Sequence, residues 1–185
     1  MPRLSGRPIC VRHARCLVAH RGKLLSGAEQ PGFPVYAASF IRARTIIFDT
    51  ELMARPRLLQ LILLHEVFHF VWARLGNRKR AEFAGILERE MEGGARGELG
   101  ESAGVEKERL RKCGGQERSR SWRQYVCESF CDTAAWFYSG RRSHPAVTLA
   151  PRWRGRREHW FRVSLLPDTG ARRAEAIHWA LGFHV

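Results

Sequence analysis

The chain has 185 residues, 44% of them hydrophobic, and a formal net charge of +14. That length suits one domain with room for a core, and the apolar content excludes a wholly disordered polymer. No apolar run reaches the roughly 18–20 residues of a membrane span, and the basic N-terminus has no apolar stretch behind it, so a cytoplasmic protein with no membrane partner is expected.

In chain order, residues 1–34 are mixed, with turn residues at GRP, RGK and EQPGFP, and ICVRHARCLVAH reads as a strand or a short helix. Residues 35–49 hold two short β-branched and aromatic runs with a turn or bulge at 41–44, which predicts two strands or one long bent strand. Pro56 suits the first position of a helix that runs to about Leu75 and stops at Gly76 and Asn77. A second, amphipathic helix continues to about Glu92. The stretch 93–120 is rich in Gly, Glu, Arg and Ser, with Leu99, Val105 and Leu110 as its sizeable apolar residues. It reads as a flexible charged insertion carrying a short helix at VEKERLRK. A strong helix follows, with Ser119 or Ser121 as its cap and Gly140 as its stop. Residues 141–185 form an Arg-rich region closed by a last helix over 171–183. No internal repeat is visible, and the whole is expected to be a single domain.

The net charge raises the prospect of an acidic partner, nucleic acid above all, through a basic surface. Arg152, Arg154, Arg156, Arg157 and Arg162 are the cluster expected to form it. An Arg-heavy composition is the plainer explanation. Five cysteines, an odd number, argue against a disulfide framework.

The helix LLQLILLHEVFHFVWARLG is apolar nearly all round, yet carries His65, Glu66 and His69 near its centre. Unpartnered buried polar groups cost roughly 1–3 kcal/mol each. A metal ion resolves the conflict. Histidines four apart on a helix share a face and reach one ion, while the intervening glutamate lies beside it. Zinc with a glutamate base is a hydrolytic pair. A catalytic zinc takes three protein ligands and keeps one position open. In the helix QYVCESFCDTAAW, Glu128 and Asp132 lie four apart on one face. Glu128 is assigned as the third ligand, with Asp132 and His144 next in line. Asp132 would accept the free N–H of a ligand histidine and fix its tautomer. Cys127 and Cys131 lie about 100° around the helix and are expected to pack as small apolar groups.

HEVFH followed by a helix with ESFCD resembles the gluzincin metallopeptidases, in which the third ligand is the Glu of an ExxxD helix. The lead-in RTIIFDTELMARPRLLQLILLHEVFHF is similar to small members of the ImmA/IrrE type. The resemblance spans about 35–76 and 119–140. It implies an α+β, zincin-like, helix-rich domain with a small mixed sheet flanking the active-site cleft. The sheet's edge strand would pair with an extended peptide.

A zinc-dependent metallopeptidase is therefore expected, acting on a peptide or protein substrate. Zn2+ is its cofactor, His65, His69 and Glu128 its ligands, and Glu66 its general base. An oxyanion stabiliser is also needed. Tyr125, Tyr138 and His144 are candidates, with His144 ahead because it lies in a loop shortly after the ligand helix. The rival is a catalytically silent zincin-fold protein that binds DNA or a regulator. Retention of Glu66 favours the enzyme, since a binding module has no use for a base beside the metal.

Overall fold

The structure is a computed structural model that describes residues 2, 4–112, 119–140 and 143–165. It is a mixed α+β arrangement in which strands precede helices. β1 (Cys10–Ala14), β5 (Ala37–Phe40) and β6 (Thr45–Asp49) form one mixed sheet in the order β1-β6-β5. β1 runs parallel to the central β6, and β5 pairs with β6 as an antiparallel hairpin closed by residues 41–44. β2 (Leu17–His20), β3 (Lys23–Ser26) and β4 (Phe33–Pro34) form a second, antiparallel sheet in the order β3-β2-β4. Asp49 links the two sheets. One of its carboxylate oxygens accepts from the Leu17 amide at 2.7 Å, and the other caps the short 3-10 helix Thr50–Ala54 at Glu51.

Among the described residues five helices follow: α1 (Pro56–Arg74), α2 (Asn77–Glu92), α3 (Glu101–Lys112), α4 (Arg120–Ser139) and α5 (Pro151–Leu165). α1 starts on Pro56, whose missing N–H costs nothing in a first turn. Ser119 caps α4 by accepting from the Trp122 amide at 3.0 Å, and Gly140 ends it in the left-handed region, where a side chain would be strained. None of the described helices is long and apolar enough to cross a membrane.

α1 is apolar all round because it is covered on two sides. Phe70 packs with Ile46, Phe48 and Leu52 under the sheet, joined by Leu59 and Ile62. Phe68 and Val71 turn the other way, into a cluster with Phe83, Phe130 and Phe161 from α2, α4 and α5. The ring pairs there sit 5–6.5 Å apart at varied tilts, which favours a fixed packing over a merely greasy one.

Two expectations are corrected. Residues 93–112 are not a flexible insertion. Val105 is exposed, but the other apolar residues point inward: Ala95 and Leu99 pack with Trp136, Leu149 and Trp153, while Leu110 joins the main core. Sparse apolar content looked solvated because it was counted rather than placed. Nor do the five arginines form one basic face. Arg157 is fully buried. Arg154 donates to the carbonyls of Leu149 and Val147, and Arg162 pairs with Glu158 beneath the Phe137 ring. Arg152 and Arg156 lie over Trp153. α5 itself was hidden in the Arg-rich composition. The helix expected over 171–183 lies outside the described residues.

Arg157 is held by two buried acids. It forks onto Glu90 of α2 at 2.6–3.1 Å and reaches Glu98 at 2.7 Å, with the Ser129 and Thr133 hydroxyl oxygens also accepting from it. Lys107 and the Tyr125 hydroxyl also donate to Glu98, at 2.9 and 2.6 Å. Burial would raise the Glu98 pKa, but Arg157 and Lys107 outweigh it and hold the carboxyl below its ordinary 4.5. The folded value is thus depressed. Stability from this group is present above about pH 4.5 and is lost as pH falls through the lower folded value. Arg157→Met should cost about 3–5 kcal/mol at neutral pH in urea denaturation, because Glu90 is left buried without a cation and Glu98 keeps only Lys107. The gap to wild type should narrow in acid, where those carboxylates take up protons.

Candidate metal centre

α1 and α4 pack along their length, and the polar residues of each meet at the middle of the contact. The Nε2 atoms of His65 and His69 are 3.1 Å apart. The Glu128 Oε2 atom lies 3.2 Å from the first and 3.7 Å from the second. The other oxygen of Glu128 accepts from the Gln124 amide at 2.7 Å, which aims Oε2 at the histidines. Asp132 sits one turn on. Its Oδ1 takes the His65 Nδ1–H at 2.7 Å, leaving the Nε2 lone pair directed at the cluster.

These donors fit a zinc ion. Bonds of about 2.0–2.1 Å in a tetrahedron place neighbouring donors about 3.3–3.4 Å apart. The three observed separations bracket that figure. The electrostatics agree. Burial lowers the pKa of His65, but Asp132 and Glu128 outweigh it and raise the ring well above an ordinary histidine. His69 is raised too: burial and the neighbouring His65 oppose its charge, while Cys127 and Glu128 favour it. Burial works against ionised Glu128, yet the two imidazoles hold its pKa low. The cluster is built to surround positive charge.

Glu66 is almost buried, and its carboxylate has no hydrogen bond or ion pair among the described residues. Neither of its oxygens is among the sealed, unsatisfied atoms, so both keep some contact with solvent. The Glu66 backbone carbonyl accepts from the Ser39 hydroxyl at 3.0 Å. That bond fixes β5 beside the turn of α1 that carries His65 and His69. β5 is an edge strand, with β6 on one side and no strand on the other among the described residues.

Sequence reasoning therefore named residues that the fold does bring together: His65, His69, Glu128 and Asp132, with Glu66 adjacent. It did not foresee what holds Asp132. The second oxygen of Asp132 accepts from the Ala103 amide at 2.8 Å, in the first turn of α3. The positive end of that helix favours the carboxylate. Gly100 makes the approach feasible, since a Cβ there would lie 2.2 Å from the Asp132 carboxyl carbon. A glycine followed by an acidic first turn was the available signal, but it sat in the stretch read as an insertion.

The cysteines also differ from expectation. Cys127 and Cys131 do not merely pack. Their Sγ atoms lie 3.6 and 3.4 Å from His69 Nδ1, so that N–H faces two thiols where a carboxylate or carbonyl is the usual partner. The hydrogen bond from Cys131, helped by His69, pushes the Cys127 thiol down to about 6. Burial pushes the Cys131 thiol well up. Two donor sets that include a thiol also close within 4.8 Å: His65, His69 and Cys131, and His69, Cys127 and Glu128. The thiols meet His69 on its Nδ1 edge, whereas His65 and Glu128 meet it at Nε2.

The three oxyanion candidates separate. The Tyr125 hydroxyl donates to Glu98 in the Arg157 network. Tyr138 stacks on Phe68 inside the core. Neither faces the cluster. His144 makes no hydrogen bond to it either; its ring accepts from the Ala146 amide at 3.2 Å. It does line a groove with Arg55, Pro56, Arg57, Leu58 and Leu61, and Leu61 lies one turn before His65 on α1.

Comparison with protein-family models, with curated proteins and with solved structures finds no match.

Replacing Gly100 by alanine should push Asp132 off the Ala103 amide and loosen its hold on His65. Zinc affinity, measured by competition with a chelator, is expected to fall about 10–100-fold, the usual cost of losing such a partner. Asp132→Asn should do the same without crowding.

Proposed function

We propose that this chain is a zinc-dependent metallopeptidase. The observation that carries the reading is the convergence of His65 Nε2, His69 Nε2 and Glu128 Oε2 to within 3.1–3.7 Å beside an unpartnered Glu66. Bound zinc would supply Lewis acidity toward a peptide carbonyl and toward water. His65, His69 and Glu128 hold the ion, and Asp132 keeps His65 in the ligating tautomer. Glu66 takes the proton of the attacking water and returns it to the leaving amine. Its solvent contact and lack of a protein partner suit that work. An extended peptide would add to the free edge of β5, so that the Ser39 bond registers the scissile bond against the helix carrying the base. His144, in the groove one turn along α1, is retained as the group for the oxyanion.

The unusual cost of the apolar α1 helix supports the same reading. Histidine and glutamate at its centre make sense as satisfied metal ligands and base, and not as packing residues.

Purified protein should carry about one zinc per chain by mass spectrometry. His65→Ala, His69→Ala and Glu128→Ala should each lower that content sharply. Normal zinc in Glu128→Ala would move the third ligand elsewhere.

Glu66→Gln keeps the size of the side chain and removes the base. Zinc content and thermal stability should stay at wild type, while cleavage of casein or a peptide library should fall by about 10²–10⁴. Undiminished cleavage in that variant would refute the peptidase mechanism. A zincin-like binding module would then be the better reading.

A further inference from the structure

His69 has two faces, and only one belongs to the zinc cluster. Its Nε2 points to His65 and Glu128. Its Nδ1 points to Cys127 and Cys131, at 3.6 and 3.4 Å. An ion bonded to sulfur at about 2.3 Å and to nitrogen at about 2.0–2.1 Å holds the two donors about 3.5–3.8 Å apart, depending on whether it is tetrahedral or trigonal. The observed separations lie in or just below that range. Both cysteines are free thiols, four apart on α4, and so share a face. Cys131 is fully buried, while Cys127 and His69 keep partial exposure to solvent.

We propose that Cys127, Cys131 and His69 Nδ1 form a second metal site, suited to a soft, thiophilic ion, that competes with the zinc site for His69. Thiolate sulfur holds a soft ion such as cadmium more tightly than the nitrogen and carboxylate donors opposite do, while zinc is accepted by both sets. The two thiols release their protons to solvent as the ion binds. A neutral imidazole offers one lone pair. Once Nδ1 ligates the soft ion, the ring's remaining proton moves to Nε2, and His69 is lost to the zinc cluster. Filling the thiol site therefore removes one of three ligands from the proposed catalytic ion. The competition is reciprocal, so zinc also weakens the soft ion. This part of the inference rests on the zinc site proposed above; the existence of the thiol site does not.

The helix geometry favours this use over simple packing. A pair of small apolar residues would fill the same space without placing two sulfurs on the one nitrogen that tunes a ligand. Glu128 and Asp132 serve His65 and His69 from one stripe of α4. Cys127 and Cys131, each one residue earlier, serve only the back of His69.

The test uses the full chain with Cys10, Cys16 and Cys113 changed to serine, so that the remaining thiols are the two in question. Zinc-free protein is titrated with cadmium alone, and thiolate-to-cadmium charge-transfer absorption is followed in the ultraviolet. The band should rise to a plateau at one ion per chain. It should be absent when Cys127→Ser and Cys131→Ser are added, and these serine variants should still bind one zinc. Glu128→Gln, with its thiols intact, should keep the band. In the parent chain, cadmium at the thiols should weaken zinc retention at least about tenfold, a coupling of about 1.4 kcal/mol. No band, or a band that survives loss of both cysteines, overturns the thiol site. A band that vanishes in Glu128→Gln also overturns it, since Glu128 would then be the ligand. Failure of the serine variants to bind zinc, with the band present in the parent, would instead sink the zinc site. Circular dichroism of each variant, with Cys127→Ala and Cys131→Ala as a second pair, separates loss of a ligand from loss of fold.

Discussion

The carboxylate of Asp132 is the joint on which the centre of this molecule turns. It belongs to α4, takes the Nδ1–H of His65 on α1, and takes an amide of the first turn of α3. Three helices are thus tied by one side chain. A nearly buried carboxylate would be costly alone. Here one oxygen meets an imidazole N–H and the other a helix N-terminus, so both lone-pair directions have partners. The orientation of His65 follows, and with it the direction of the Nε2 lone pair. Without α3 the carboxylate would keep one partner and swing.

A second buried polar unit stabilises the scaffold around that joint. Arg157 binds Glu90 and Glu98, and Glu98 also receives Tyr125 and Lys107. The unit connects α5, α2, α4 and the segment leading into α3. Glu98 is only two residues before Gly100, the residue that lets Asp132 approach the helix end. The carbonyl of Glu98 also receives the amides of Thr148 and Leu149. The entry to α3 is therefore anchored from behind while its first turn holds Asp132 in front. A buried ion pair adds little net stability when compared with a well-packed apolar substitute, but its geometry is specific. Here it sets where one helix begins.

The apolar α1 helix joins the aromatic core to the sheet. On one side it faces Phe130 and Phe161, on the other Ile46 and Phe48. Between the two lies the line of His65, Glu66 and His69. His65, Glu66 and His69 therefore sit on an element packed from two sides, and β5 is fastened to it by the bond from Ser39 to the Glu66 carbonyl.

The sequence alone determined α1, α2, α4 and the paired strands over 35–49, and which residues the cluster draws together. Pro56, Ser119 and Gly140 act through local backbone chemistry, so the ends of α1 and α4 could be read directly. The spacing of four between His65 and His69, and between Glu128 and Asp132, is a property of one helix turn and needs no tertiary knowledge. What only the fold decided was which residues from distant segments stand behind that cluster. Residues 93–112 looked solvated because burial there depends on few apolar side chains aimed at partners far along the chain: Ala95 and Leu99 at Trp136, Leu110 at the main core. Arg157 looked like surface because composition records its charge and not its neighbours, although Trp153, Arg157, Trp160 and Phe161 share a helical stripe. The cysteines looked like packing residues because their 100° offset from Glu128 and Asp132 was measured within α4. Whether that offset pointed at apolar atoms or at the far nitrogen of His69 depended on how α1 lies across α4, a relation set by side-chain packing between helices and not by any spacing within one.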